Sequence, residues 1–171
     1  IRPRTRRCIS PFARANLAGM AIQHISDLRC VVCGTKYPAD NRYTCTKCGV
    51  WGILDVEYDY DKVGKTLTRH ALSHRPWSHW RYEELIPVDF SLHLPPLQIG
   101  WTPVYHADRL SEWVGVHDLV LKDDGRNPSA SFKDRASSVG VMKAIEYRAK
   151  TIAAASTGNA ASSLACCAAA V

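Results

Sequence analysis

No stretch of this sequence is apolar enough for long enough to form a membrane-spanning helix. The nearest candidate, residues 152–171, is interrupted by Ser156, Thr157, Asn159, Ser162 and Ser163, whereas a spanning helix needs about 20 predominantly apolar residues. No internal repeat and no low-complexity linker is present, which excludes solenoid and array architectures. The sequence shows no secretory-signal pattern, so an oxidising compartment is not expected and a cytoplasmic location is. Acidic residues are missing from residues 1–19, which hold Arg2, Arg4, Arg6, Arg7 and Arg14. These five arginines account for most of the formal net charge of +6, and the remainder carries +1. The basic balance therefore gives no reason to expect a nucleic-acid partner. Residues 1–19 read as a disordered or non-native basic tail, an organellar transit peptide being the alternative, with Met20 as a plausible start.

Cysteine is used in a patterned way. Cys30-x-x-Cys33-Gly34 and Cys45-x-x-Cys48-Gly49 form two knuckles with eleven residues between them. Four thiolates so spaced make a tetrahedral zinc site. A glycine after each second cysteine lets the backbone turn back on the sulfurs. Two disulfides are the rival pairing, and the reducing compartment favours zinc. Tyr37, Tyr43 and Thr44 supply strand formers for a two-stranded ribbon too small to have a core, so the metal would provide much of its folding energy. Trp51 to Asp61 alternates as a strand leaving the ribbon. A helix around Trp80 to Leu85 is expected in the connector. The irregular spacing of His70, His74 and His79 gives no second metal site. Cys166 and Cys167 read as small buried residues of a late helix. The domain plan is thus a tail at 1–19, a zinc ribbon at 20–61, a connector at 62–99 and a larger α/β domain from 100 to 171.

The run Asn127-Pro128-Ser129-Ala130-Ser131-Phe132-Lys133-Asp134-Arg135 organises that last region. Asp118–Lys122 reads as a short strand and Asp123–Pro128 as a loop. Ser131 would cap a helix, with Asp134 completing a capping box. The helix would extend to about Lys150, with Phe132, Ala136, Val139 and Met142 on one face. Lys133 then sits in the first turn. The positive end of the helix dipole disfavours an ammonium there, and imine chemistry needs the neutral amine. A second unit follows: Thr151–Ala155 as a strand, Ser156-Thr157-Gly158-Asn159 as a loop, and a helix from Ala160. Two strand–loop–helix units in succession imply a parallel sheet, with both loops at its C-terminal edge where α/β folds bind ligands. Val104–Val114 adds one short strand and helix. Two units cannot cover both faces of a parallel sheet, so the chain reads as the truncated first part of such a domain.

The segments Gly100-Trp101-Thr102-Pro103, Lys122-Asp123-Asp124-Gly125-Arg126-Asn127-Pro128, Ser131-Phe132-Lys133-Asp134-Arg135 and Ser156-Thr157-Gly158-Asn159 resemble those of the threonine synthases. These belong to the fold type II, tryptophan-synthase-β-like pyridoxal-phosphate enzymes. The resemblance runs from about Leu28 to Val171, and many threonine synthases carry an N-terminal zinc ribbon. It implies a carbon–oxygen lyase that turns O-phospho-L-homoserine and water into L-threonine and phosphate. Lys133 would hold pyridoxal 5'-phosphate covalently and then act as the base at the α and β carbons. Asn159 would hydrogen-bond the cofactor's phenolic oxygen, and Ser156 and Thr157 would hold the substrate carboxylate. The cofactor's phosphate cradle and pyridine-nitrogen contact would lie beyond residue 171, so this segment alone is expected to be inactive. A small-molecule substrate, no nucleic acid, no membrane and a homodimer are the expected partners. Threonine dehydratase and cysteate synthase are the neighbouring readings. A nucleic-acid-binding zinc ribbon is the reading of another class, but Asp40, Asp55, Glu57, Asp59 and Asp61 offset Lys36, Arg42 and Lys47. A catalytically dead scaffold is opposed by the retained Lys133.

Overall fold

The computed structural model describes residues 24–171. The basic tail and Met20 lie outside them. The chain is mixed α/β, as expected, with a four-stranded antiparallel sheet at its start and helices packed beneath a long connector at its end.

The first sheet is built by β1 (Ile25–Cys30), β2 (Lys36–Tyr37), β3 (Thr44–Cys45) and β4 (Gly49–Tyr58), in the order β2-β1-β4-β3. Leu28 stands opposite Tyr37 on one side and Val56 on the other, and Cys30 opposite Leu54. The ribbon expected to have two strands has four, because each knuckle closes its own short pair against a long strand. Gly34 and Gly49 take φ of 69° and 58°, the left-handed turn that only glycine enters without cost, directly after Cys33 and Cys48.

The connector carries more structure than its irregular sequence suggests. Helices α1 (Tyr60–Thr66) and α2 (Arg69–His74) start on hydrogen bonds accepted by the side chains of Asp59 and Thr68. A 3-10 helix over His79–Leu85 meets the expectation for that segment. Buried Glu84 receives both ends of the Arg75 guanidinium at 2.7 Å, which ties α2 to it. Further on, Val88 and Ile99 supply what the terminal helices pack against. One buried cluster joins Trp80, Val88 and Met142, and another joins Ile99, Val141 and Cys167.

The last region holds β5 (Val104–His106), α3 (Asp108–Val114), β6 (Val120–Lys122), α4 (Lys133–Glu146) and α5 (Asn159–Ala169). The β5–α3 unit agrees with the sequence. Three details differ. β5 and β6 pair antiparallel, and residues 151–155 form no strand; a strand needs a neighbour for its ladder, and none lies beside them among the described residues. α4 ends at Glu146, where Arg148 enters the left-handed region at φ 53°. Its buried residues are Asp134, Ser138, Val141 and Met142, while Phe132 and Ala136 face outward. The small polar residues of α4 thus share the buried face, a pattern that hydrophobic periodicity cannot register.

The ribbon meets the body through two tyrosines. The Tyr58 hydroxyl donates to the Leu85 carbonyl at 2.8 Å, and the Tyr147 hydroxyl donates to that of Asp40 at 3.2 Å.

Candidate active site and metal centre

The sulfurs of Cys30, Cys33, Cys45 and Cys48 all lie within 4.8 Å of one another, with Cys33 and Cys45 at 3.6 Å. Tetrahedral zinc with bonds of about 2.3 Å sets its sulfurs about 3.8 Å apart. All four are free cysteines. The Lys47 N–H donates to the Cys45 sulfur at 3.4 Å and the Tyr37 hydroxyl lies 3.1 Å from it. The Tyr37 contact is the main reason the Cys45 thiol is drawn down to about 6. Cys48 is pushed up to about 12, first by its hydrogen bond with Cys33 and then by burial. Four sulfurs this close resist becoming four thiolates by themselves, and a bound cation removes the resistance.

Gly52, which the cysteine spacing does not reveal, shapes the same site. A Cβ there would stand 2.5 Å from the Cys45 Cβ, 2.8 Å from the Cys48 Cβ and 3.2 Å from the Cys30 sulfur. β4 must be bare at that point for the knuckles to close. A glycine inside an otherwise good strand is the available sequence signal for such a close approach.

The second site begins at Lys133, the first residue of α4. Ser131 does receive the Lys133 N–H on its hydroxyl, at 3.2 Å. The expected capping box does not form, because Asp134 turns elsewhere. Its carboxylate accepts from the Ser129 N–H at 2.7 Å, from the Ser129 hydroxyl, and from the Ser163 hydroxyl of α5 at 2.5 Å. These three donors satisfy the buried carboxylate in place of the Ser131 amide. The Lys133 amine is half-buried and rests 4.3 Å from the Phe132 ring centroid.

Around this turn, the resembling segments converge. The Arg135 guanidinium grips Asp124 with two bonds of 2.8 Å, and the Thr102 hydroxyl donates to the same carboxylate at 2.6 Å. Arg135 foremost, then Thr102, holds Asp124 well below the usual carboxylate range. Buried Asn127 accepts the Gly100 N–H at 2.9 Å and donates to the Asp124 carbonyl at 2.9 Å. Gly100 has φ of 76°, and a Cβ on it would meet the Arg135 guanidinium at 2.9 Å. Burial, then Arg135, lowers His79 to about 4, so its ring stays neutral beside the Ser138 hydroxyl 3.3 Å away. From sequence, Asp124, Asn127 and Gly100 stand only as members of the resembling segments, with no role of their own, and His79 only as a discounted metal ligand. Their buried roles depend on partners 11 to 59 residues away.

Ser156, Thr157 and Asn159 sit where α5 begins. The helix opens at Asn159, one residue earlier than expected, and the Ser156 hydroxyl accepts the Gly158 N–H at 3.2 Å. Asp134 meets Ser163, and seven residues further along α4 Val141 shares a cluster with Cys167, four residues further along α5. Both helices therefore run in the same direction, with their N-termini at one end. Lys133 and the Ser156–Asn159 loop occupy that end together, although no parallel sheet carries them among the described residues. Free N–H groups and the positive end of a helix suit an anion, and an amine with no carboxylate partner among the described residues suits a carbonyl carbon. The residues present thus fit pyridoxal phosphate.

Comparison with known proteins identifies the class. Residues 96–171 match the family described as pyridoxal-phosphate dependent enzyme. Over a longer stretch the chain is similar to threonine synthases. It is 43% identical to that of Methanosarcina acetivorans over 139 residues, which is 81% of this chain and 33% of the relative. It is 39% identical to that of Methanocaldococcus jannaschii over 138 residues, 80% of this chain and 33% of the relative. The threonine synthase of Mycobacterium leprae is 37% identical over 99 residues, 57% of this chain and 27% of the relative. The chain spans about a third of the length of the first two relatives. No solved structure matches it.

Proposed function

We propose that the complete enzyme carrying this segment converts O-phospho-L-homoserine and water into L-threonine and phosphate. The supporting observation is that Lys133 and the Ser156–Asn159 loop share one end of two co-directional helices, in a chain similar to threonine synthases. Pyridoxal phosphate, when bound, supplies the electron sink that lets protons leave the substrate's α and β carbons. Lys133 would hold it covalently, and its amine would take and return those protons. The hydroxyls of Ser156 and Thr157, with the N–H groups opening α5, hold the substrate carboxylate. Asn159 donates to the cofactor's phenolic oxygen. Cys30, Cys33, Cys45 and Cys48 hold one structural zinc, which secures the ribbon rather than taking part in the reaction.

Borohydride reduction followed by peptide mapping tests the assignment. The cofactor is expected on Lys133. Lys133→Ala should lose both the covalent link and threonine formation, while Lys122→Ala, whose amine is tied to the Thr102 carbonyl at 2.5 Å, should keep the link. Attachment to any other lysine refutes the mechanism.

A further inference from the structure

Asp134 is 0% exposed, and its three hydrogen bonds come from an amide and two hydroxyls, none from a lysine or arginine. A buried carboxylate is costly, and an apolar residue of similar volume often serves stability as well. Its placement explains its presence better than stability does. Resting on Lys133 as the cofactor anchor, we propose that Asp134 is a positioning residue that fixes Lys133 relative to the Ser156–Asn159 loop by clamping Ser129 and Ser163 at once.

Three observations make the clamp. Asp134 follows Lys133 in the first turn of α4, so neither moves without the other. Ser163 lies one turn after Asn159, about 6 Å along α5, so its bond to Asp134 sets where that helix begins relative to Lys133. On the other side, Ser129 is held by both its N–H and its hydroxyl. Between Ser129 and Ser131, Ala130 takes φ of 56°, a conformation that residues with a Cβ rarely adopt. The turn persists because Asp134 holds one flank and the Lys133 N–H, bound to the Ser131 hydroxyl, holds the other. Sites of this kind tolerate only about 0.5 Å of error in their reacting groups. A single carboxylate binding the loop, the lysine helix and the neighbouring helix supplies that rigidity.

The test uses the full-length enzyme with Ser163→Ala and Asp134→Asn. Three quantities are read: the lysine trapped by borohydride, the L-threonine dissociation constant from the visible absorbance of the bound cofactor, and the thermal midpoint without cofactor. Ser163→Ala removes one hydroxyl and leaves both Ser129 bonds. It should still trap cofactor on Lys133 with a midpoint within a few degrees of the parent, but bind L-threonine about tenfold or more weakly, as expected for a small misplacement of the carboxylate loop. Asp134→Asn sets an amide donor against the Ser129 N–H or loses a hydroxyl acceptor. It should weaken both L-threonine binding and cofactor attachment. The proposal is overturned if Ser163→Ala binds L-threonine within twofold of the parent, whatever Asp134→Asn does to the thermal midpoint. Trapping on another lysine in the parent overturns the functional reading, and the clamp with it. That outcome is distinct, because failure of the clamp alone leaves parent trapping on Lys133.

Discussion

Gly52→Ala adds one methyl group and should dismantle the metal centre. The new Cβ would lie 2.5 Å from the Cys45 Cβ and 2.8 Å from the Cys48 Cβ, where carbon atoms prefer about 3.5–4.0 Å. Relief requires a displacement of about 1 Å in β4 or in the second knuckle, while zinc–sulfur distances tolerate only about 0.2 Å. Overpacking of this kind costs about 1–3 kcal/mol, which converts to a loss of about fivefold to hundredfold in zinc affinity at 1.4 kcal/mol per decade. The assay is metal content after purification without chelator, then titration with a chromogenic chelator to half-removal. The parent should carry one zinc per chain. The variant should give it up at a chelator concentration lower by the same factor. Trp51→Ala, which alters a residue 81% exposed on the same strand, is the control and should leave the midpoint unchanged. If Gly52→Ala retains one zinc per chain with the parent's midpoint, the close approach of β4 to the sulfurs is not what shapes the site.

Two further outcomes follow from the network around α4. Asp124 has its pKa lowered by Arg135 and Thr102, so its stabilisation is complete above the ordinary carboxylate range and is lost as pH falls through the depressed value. Asp124→Asn should therefore lower stability at neutral pH and flatten the decline in acid, read from urea unfolding at a series of pH values; an unchanged acid slope would contradict this. Asn127→Ala leaves the Gly100 N–H without its acceptor, a loss of about 1–3 kcal/mol for a buried donor. A thermal midpoint within one degree of the parent would show that the bond is dispensable.

The sequence revealed most clearly what depends on neighbours along the chain. The Cys-x-x-Cys-Gly knuckles are local, and both glycines take the expected left-handed turn. Lys133 falls in a first helical turn because Asn127, Pro128 and Ser129 set up the loop before it. Failures arose where a distant partner outweighed a local preference. Ser131 and Asp134 have the spacing of a capping box, yet Asp134 bonds Ser163, 29 residues away. Phe132 and Ala136 fit an apolar stripe, but Ser138 and Asp134 are buried in their place because α5 and His79 offer them partners. Residues 151–155 have the composition of a strand but no adjacent strand among the described residues. Beyond the helix expected around Trp80 to Leu85, the connector's order was not legible, because it comes from Val88 and Ile99 reaching α4, and contacts of that range leave no periodic trace.

The ribbon also has a place in time. Its four strands lie within residues 25–58, and its cysteines within residues 30–48. Roughly 75 residues separate its last strand from Lys133. At about 5–20 residues per second of synthesis, the ribbon has about 4–15 s in which to close before that lysine exists. When α4 does emerge, Tyr147 meets an Asp40 carbonyl already in place 107 residues upstream. A closure entropy that would otherwise fall on the whole intervening loop is then shared between two shorter steps. If the ribbon closes on zinc as proposed, metal supply during translation, and not only afterwards, is expected to set how readily the lysine helix finds its seat.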